Sequence, residues 1–271
     1  MTAPENLARH AEAFRTRVGA CWPGTRAVFR GHDLHGELAA LDWMELYLLG
    51  ITGRRFAPSQ IRLMHGLWVL TSYPDTRLWN NRVAALAANA RSSSVLGLAA
   101  AVAVTEAKIF SGGPGIRAID FFIRIRRALE AGESLDILLN AELEQRKIMG
   151  YGRPINSVDE RLPPLIQLAK ATGCADGPHY QLAFAVEDFL VTRIKPFLKM
   201  NYAGLAAALA ADMGLTPRQY HLFGILKTLA GIPPCIIEAG QKPEGCLFPT
   251  ACADIAYSGI AKRPWKARAA L

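Results

Sequence analysis

The sequence predicts an all-α fold. Apolar residues recur at steps of three and four along most of the chain, as at Leu38 and Leu41 and again at Leu182, Val186 and Phe189. This spacing places side chains on one face of a helix. The period-two alternation that is typical of strands is almost absent, and clusters of glycine and proline divide the chain into segments of helical length.

The composition indicates a globular protein with an anionic partner. The chain has 271 residues, 51% of them hydrophobic, which is enough to build a core and excludes intrinsic disorder for most of it. Lysine and arginine total 31 against 23 acidic residues, so the net charge is +8. A basic protein favours anionic partners, and nucleic acid, a CoA thioester and a polycarboxylate all meet that condition.

The sequence carries no signal for export, a membrane span or a disulfide framework. The five cysteines are scattered and form no C-x-x-C pair. Residues 1–15 are amphipathic and lack the apolar segment of a signal peptide. The longest apolar run, residues 95–104, is shorter than the roughly 20 residues that a bilayer span needs. We therefore expect a cytoplasmic protein without a membrane partner.

Three segments allow specific structural predictions. Residues 95–107 are almost entirely small and apolar, which predicts a central helix packed on all sides. Thr216 and Gln219 form a capping box with proline at the first helical position, which predicts a helix from there to about Leu229. From Ile232 onward, repeated prolines predict an extended tail that runs over the surface or over a partner subunit.

Two glycine-rich segments are candidates for ligand binding. Residues 111–115 precede a predicted helix directly, so backbone N–H groups at its N-terminus can bind an anion or a carbonyl oxygen. Residues 150–156 contain Arg153, and Arg161 follows shortly after, which places two arginines around a turn that leads into a helix. From composition alone, an ordinary loop between helices is the favoured interpretation of the second segment.

Other kinds of site find little support in the sequence. It has no P-loop and no complete dinucleotide fingerprint. His32 and His35 lie close together after a predicted turn, but solvated or packed histidines explain them better than a metal site. The basic stretches accompany neither a recognition helix nor a stacking platform. We expect no metal, no cofactor and no nucleic-acid partner.

Seven segments, taken in order, resemble motifs of the citrate synthase superfamily, in the short form typified by citryl-CoA lyase and the C-terminal module of ATP-citrate lyase. The early segment at residues 29–34 is similar to "YRGYDI", and residues 150–161 are similar to "GFGHPIH..DPR". The resemblance covers nearly the whole chain. The seven segments are residues 29–34, 49–59, 73–82, 109–113, 150–161, 201–205 and 253–259.

The resemblance implies a two-domain organisation and a dimer. A large helical domain would comprise residues 1–116 and 216–271, and a smaller inserted helical domain would comprise residues 117–215. A ligand cleft would lie between them, with the small domain closing over it. The resemblance also implies a homodimer whose C-terminal tail reaches toward the partner subunit.

The side chains that carry the chemistry of this family are replaced in this sequence. The family enolises an acyl-CoA with a carboxylate base, whose position falls on Ala203, or on Met200 in the alternative register. Histidines that polarise the substrate oxygens correspond to Ser72 and Arg153. Loss of a general base costs a factor of roughly 10² to 10⁴ in rate. Ordinary citrate synthesis is therefore not expected.

The resemblance and the residue types together define a candidate site. We predict that Arg153, Asp75 and Ser72 act in catalysis, and Asp75 is the carboxylate in these segments that can replace the missing base. A permanently cationic Arg153 suits carboxylate binding better than proton transfer. The predicted substrate-binding residues are Arg30, Tyr73, Ser111, Gly112, Gly113, Asn156, Arg161, Asn201 and Lys227.

Two functions remain open at this point. In the first, the protein is an enzyme that forms or cleaves a carbon–carbon bond in an acyl-CoA or carboxylated substrate, with a CoA thioester as substrate rather than cofactor. In the second, it is a catalytically inactive paralogue that binds a ligand or pairs with a homologous partner subunit.

Overall fold

The computed structural model describes residues 2, 4–5, 8, 16–108, 111–153, 158–247 and 251–261. Over these ranges the chain is predominantly helical, which confirms the predicted all-α class. A π-helical turn covers Leu190–Ile194, and a 3₁₀ turn covers Leu229–Gly231. The helices are α1 (Trp43–Thr52), α2 (Pro58–Thr71), α3 (Trp79–Asn89), α4 (Ser94–Val104), α5 (Gly112–Glu130), α6 (Leu135–Gln145), α7 (Leu162–Ala171), α8 (Pro178–Phe189), α9 (Tyr202–Asp212), α10 (Pro217–Lys227) and α11 (Ile232–Gln241).

A small antiparallel sheet precedes α1 and was not expected from the sequence. Its strands are β1 (Gly19–Trp22), β2 (Arg26–Phe29) and β3 (His32–Asp33), in the order β1-β2-β3. The predicted turn is present, because Arg30 and Gly31 both have positive φ, 52° and 89°, between the paired ends of β2 and β3. Such short strands contain too few residues for a period-two pattern to emerge.

The central helix of the protein is α9. From Gly204 to Ala211 its residues are buried on every side. The prediction that residues 95–107 form the central helix is wrong, because α4 lies at the surface with Val95 75% and Leu96 65% exposed. Both segments are built from small apolar residues, so composition alone does not decide which of the two is enclosed.

The main hydrophobic core joins most of the helices. It includes Met44 and Phe223 as well as Phe121 and Leu205, and thus draws on both of the predicted domains. Helix α5 also runs through the predicted boundary between residues 116 and 117. The division into two domains stays a prediction. A smaller cluster centred on Ala84, Ala101 and Ile232 joins α3, α4 and α11.

The predicted start of α10 is confirmed, and the predicted extended tail is wrong where α11 forms. Thr216 caps α10, and its side chain and that of Gln219 make the reciprocal bonds of a capping box. Pro233 and Pro234 fall in the first turn of α11, where the missing N–H groups would have had no helical partner. Two adjacent prolines can therefore begin a helix as well as end one.

Among the residues that the structure describes, one helical stretch, Pro217–Gln241, is long and apolar enough to cross a membrane. The stretch consists of α10, the 3₁₀ turn and α11, and it buries Tyr220, Phe223 and Ile232 inside the protein. A core helix with this composition satisfies the same criterion.

Candidate active site

The loop at residues 150–153 is held against the N-terminus of α9. The backbone N–H of Asn201 donates to the carbonyl of Gly150 at 2.9 Å, and that of Gly152 donates to the carbonyl of Lys199 at 2.7 Å. Gly150 has a φ of 100°, and a Cβ there would lie 2.5 Å from the Cα of Gly204. Only glycine permits this approach of two backbones.

Asn201 fastens the same loop through its side chain. Its Nδ2 donates to the carbonyl of Gly152 at 2.8 Å, while its Oδ1 accepts from the N–H groups of Ala203 and Gly204 and caps α9. Ala203 lies in this first turn beside the loop, without a carboxylate. Met200, the alternative position, is buried. Neither position supplies a general base, and substrate binding by Asn201 stays a prediction.

Asp159 and Arg161 form a buried pair beside this loop. Arg161 donates to both carboxylate oxygens of Asp159, at 2.8 and 2.7 Å, and the N–H of Tyr202 donates to one of them at 2.8 Å. Burial alone would raise the pKa of Asp159, but the guanidinium and the backbone N–H outweigh it and lower the pKa to about 2. The Arg161 guanidinium also lies over the rings of Tyr202 and Tyr73.

Glu160 joins two of the predicted site residues. The hydroxyl of Tyr73 donates to its Oε1 and Nη1 of Arg153 donates to its Oε2, both at 2.7 Å. The hydrogen bond from Tyr73, together with the contacts of Arg153, lowers the pKa of Glu160 to about 2. The structure therefore brings Tyr73, Arg153 and Arg161 together, with both guanidinium groups already paired to carboxylates.

A second part of the site lies between α5 and α10. Glycines at positions 112, 115 and 224 lie around a small cleft of about 20 Å³, room for about one water molecule, hereafter the α5–α10 cleft. Two predicted residues at the start of α5, Ser111 and Gly112, thus meet the predicted Lys227. The cleft is lined by Ser111, Gly112, Gly115, Ile116, Tyr220, His221, Gly224 and Lys227.

Lys227 has no carboxylate partner among the described residues. Its Nζ donates to the hydroxyl of Tyr220 at 3.0 Å and lies 4.3 Å from the centre of that ring. Burial of the ammonium group, and secondly the positive charge of Arg161, lower the pKa of Lys227 to about 7. Near neutral pH a large fraction of Lys227 is therefore the neutral amine.

His221 faces the same cleft and was not singled out from the sequence. Its Nε2 lies 2.7 Å from Oε1 of Glu106. Its Nδ1 is buried and has no hydrogen-bond partner in the described part of the chain. Residues 220, 224 and 227 lie along one stripe of α10, while His221 is turned about 100° from Tyr220, so helical spacing alone does not single out His221.

Three of the predicted site residues make their contacts outside both the 150–161 region and the α5–α10 cleft. Ser72 Oγ donates to the carbonyl of Trp68 at 2.6 Å, and the guanidinium of Arg30 donates twice to the carbonyl of Gly50. Asp75 accepts from its neighbour Arg77, whose side chain lowers the pKa of Asp75. Because a lower pKa weakens a base, these contacts do not favour the predicted role of Asp75.

The remaining predicted residues are Gly113 and Asn156. A Cβ at Gly113 would lie 2.6 Å from the carbonyl oxygen of Ala107, so this glycine allows the start of α5 to pack against the preceding segment. Asn156 lies outside the described residues. Substrate binding by either residue stays a prediction.

No protein-family model and no curated protein sequence matches the chain. Solved structures do match it. Citryl-CoA lyase from Hydrogenobacter thermophilus superposes with a TM-score of 0.81 at 20% identity, over 93% of this chain and 97% of that chain. ATP citrate lyase from Methanothrix soehngenii, solved with citrate and coenzyme A, matches with a TM-score of 0.73 at 18% identity, over 97% of this chain and 45% of that chain.

Citrate synthase from Thermoplasma acidophilum gives a TM-score of 0.64 at 18% identity, over 84% of this chain and 59% of that chain. At these identities the comparisons establish the fold. This fold is the one that the resemblance of the seven segments implied. The chain has the fold of the citrate synthase superfamily, in the short form seen in citryl-CoA lyase.

Proposed function

We propose that this protein is a citrate synthase-like enzyme that forms or cleaves a carbon–carbon bond in an acyl-CoA or carboxylated substrate and does not carry out ordinary citrate synthesis. The observation that carries the proposal is Lys227 in the α5–α10 cleft, which has no carboxylate partner among the described residues and interacts electrostatically with Arg161. A cleft with this charge suits a carboxylate or an enolate.

The replaced residues determine which chemistry is proposed. Ala203 cannot abstract a proton, so the enolisation route of the family lacks its base. The cationic side chains can still bind a carboxylate and stabilise negative charge that develops on a carbonyl oxygen. The proposed ligands are consistent with the citrate and coenzyme A bound by the ATP citrate lyase of similar fold. We place the reaction in the cytoplasm.

A thermal-shift screen tests the proposal. The purified protein is melted alone and with CoA, acetyl-CoA, other acyl-CoA esters, oxaloacetate and citrate. A ligand at 100 times its Kd stabilises the folded state by about 2.7 kcal/mol. We expect a shift with an acyl-CoA or a carboxylate, followed by turnover of the ligand that binds. A protein that responds to none of them does not have the proposed function.

The second candidate function is that of an inactive paralogue. One observation favours it: Arg153 and Arg161 are both paired with carboxylates inside the protein, which reduces their capacity to bind a substrate anion. This candidate predicts no turnover by the purified protein and recovery of an intact homologous subunit in a pull-down. Turnover by the isolated protein would exclude it.

We also propose that the protein is a homodimer. Apolar residues form an exposed stripe along α4, at positions 95, 96, 99, 100 and 103. Exposed apolar stripes on monomers are rare and mark interaction surfaces. A second copy of the chain is the occupant that the resemblance implies.

A further inference from the structure

Glu160 links two segments of the candidate site that are far apart in the chain. The hydroxyl of Tyr73, between α2 and α3, donates to Oε1 of Glu160, and Nη1 of Arg153 donates to Oε2, each at 2.7 Å. Each oxygen of the carboxylate therefore has its own donor. Two donors placed in this way recognise the geometry of a carboxylate group.

Arg153 does not depend on Glu160 for its position. Its Nη1 also donates to the carbonyl of Val158 at 2.7 Å and lies 4.0 Å from Oδ1 of Asp159. The side chain of Arg153 is 27% exposed, whereas that of Glu160 is 60% exposed. The guanidinium is therefore held by the protein, while the carboxylate bound to it stays largely in contact with water.

The neighbouring carboxylate, Asp159, is held far more firmly. Its side chain is fully buried, and it accepts bonds from Arg161 and from the backbone N–H of Tyr202. A buried carboxylate cannot leave without stranding its partner, but an exposed one exchanges its partner for water at little cost. Of the two carboxylates, Glu160 is the one that a ligand can replace.

The charge of this group of residues matches an anionic ligand. The guanidinium groups of Arg153 and Arg161 are balanced by the carboxylates of Asp159 and Glu160. When the Glu160 side chain turns into solvent, one positive charge on a partly buried guanidinium is left without a counter-ion. Such a charge is unfavourable, so the vacated position favours another anion over water.

The sequence shows that Arg153 and Glu160 depart from the family pattern together. In the segment that resembles "GFGHPIH..DPR", these two residues stand where the motif has histidine and proline. The structure bonds the two departures to each other. The arginine therefore comes with its own internal counter-ion.

We propose that Tyr73 and Arg153 form a binding site for a carboxylate group of the ligand, and that Glu160 occupies this site until the ligand displaces it. The two oxygens of the ligand carboxylate take over the bonds from the Tyr73 hydroxyl and Arg153 Nη1. No covalent bond forms or breaks in this exchange. The inference rests on the proposed function and deepens it, because it states which group of a carboxylated substrate is recognised and what closes the site in the free protein.

Calorimetric titration of the full-length protein with citrate or oxaloacetate tests the exchange. A site that is open for about a tenth of the time binds its ligand about 10-fold more weakly than one that is always open. We expect Glu160→Gln, which removes the charge and keeps the shape, to lower the Kd for citrate by about 10-fold or more. The control Glu144→Gln makes the same change of net charge at an exposed position of α6 and should leave the Kd within about 2-fold, since exposed charges are screened by salt.

Further variants show whether the gain in affinity acts through the proposed donors. Adding Arg153→Gln to Glu160→Gln should abolish the gain, and adding Tyr73→Phe should raise the Kd of Glu160→Gln by about 10-fold, because one of the two bonds to the carboxylate is lost. A melting curve for each variant shows that it is folded. If Glu160→Gln binds both compounds no more tightly than the wild type, or if the gain persists without Arg153, the inference is overturned.

This inference and the proposed function fail separately. Turnover of a carboxylate or an acyl-CoA ester by the wild type, with no gain in affinity for Glu160→Gln, overturns the inference and leaves the proposed function standing. A gain for Glu160→Gln in a protein that turns over none of the ligands supports the carboxylate site and overturns the proposed enzyme.

Discussion

At the scale of single residues, the site depends on which charged side chains are paired with a group of opposite charge. Asp159 has an exposed fraction of 1%, and it satisfies Arg161 and the N-terminus of α9 at once. Lys227 has no such carboxylate among the described residues. The first arrangement stabilises the fold, and the second leaves Lys227 in a cleft with the Tyr220 hydroxyl as its partner. The sequence shows Asp159 and Lys227 but does not show which side chains each of them contacts.

Replacing Asp159 by asparagine should destabilise the protein by about 3 kcal/mol, because Arg161 would be left partly buried without its counter-ion. Urea denaturation at pH 7 measures the change. The matched control is Asp136→Asn, whose partner Arg193 is 57% exposed and whose loss should cost below about 1 kcal/mol. Equal effects of the two substitutions would show that burial of the Asp159 pair contributes nothing.

The acid stability of the protein follows from the same pair. The folded-state pKa of Asp159 is about 2, below its ordinary value. Its contribution to the free energy of unfolding is therefore present above about pH 4 and is lost as the pH falls toward 2. Urea denaturation of the wild type and Asp159→Asn from pH 5 to 2 should give curves that converge. Curves that stay parallel would contradict this pKa.

At the scale of elements, small residues determine how closely helices and loops approach. Gly204 on α9 faces the backbone of Gly150, whereas Gly224 on α10 faces only the flexible end of Lys227. Both are glycines within helices, and the sequence does not distinguish them. In the tertiary structure a side chain at Gly204 would clash with backbone, whereas Gly224 has room for one.

We expect Gly204→Ala to destabilise the protein by about 2 kcal/mol, because its Cβ would lie 2.5 Å from the carbonyl oxygen of Gly150. Gly224→Ala is the control: its Cβ would make an ordinary contact at 3.7 Å with Lys227. Alanine is preferred in helices, so this substitution should stabilise by about 0.5–1 kcal/mol. The melting temperatures of the two variants test this prediction, and similar values would contradict it.

The position of Lys227 in α10 makes stability depend on pH. Its folded-state pKa is about 7, below the ordinary value of a lysine. Between about pH 7 and pH 10 the unfolded chain binds this proton and the folded chain does not, so the free energy of unfolding should rise with pH. Lys227→Met should remove that rise, and the exposed Lys170→Met should retain it. A wild-type curve with the same slope as Lys227→Met would refute the assignment.

At the scale of the whole molecule, the apolar face of α4 is a surface that the described part of the chain leaves uncovered. The same kind of sequence in α9 is enclosed by α5 and α8. An exposed apolar helix face is typical of an interaction surface, and the proposed homodimer would cover it.

We expect Leu96→Glu, at a position 65% exposed on α4, to convert the dimer into a monomer, because a carboxylate would be buried in an apolar interface. Size-exclusion chromatography with light scattering measures the mass. Ile137→Glu, at a residue of α6 that is 68% exposed, is the control and should leave the dimer intact. A wild-type protein that is monomeric at micromolar concentration would overturn the dimer.

Much of the fold was predictable because it depends on local patterns. The three- and four-residue spacing of apolar residues determined the helical class, and the capping box at Thr216 determined the start of α10. The short strands at residues 19–33 escaped prediction since they contain too few residues for a pattern. The prolines after residue 231 were misread because their effect depends on whether they fall in the first turn.

By itself, the sequence determined the all-helical class, the order of the family-like segments and the absence of a carboxylate at Ala203, all of which are properties of neighbouring residues. Only the tertiary structure decided which small-residue helix is enclosed, which arginines are paired, and that Lys227 and His221 share a cleft. The physical reason is that burial and electrostatic pairing depend on groups far apart in the chain. Residues 106 and 221 meet across 115 positions, and no local pattern records such a contact.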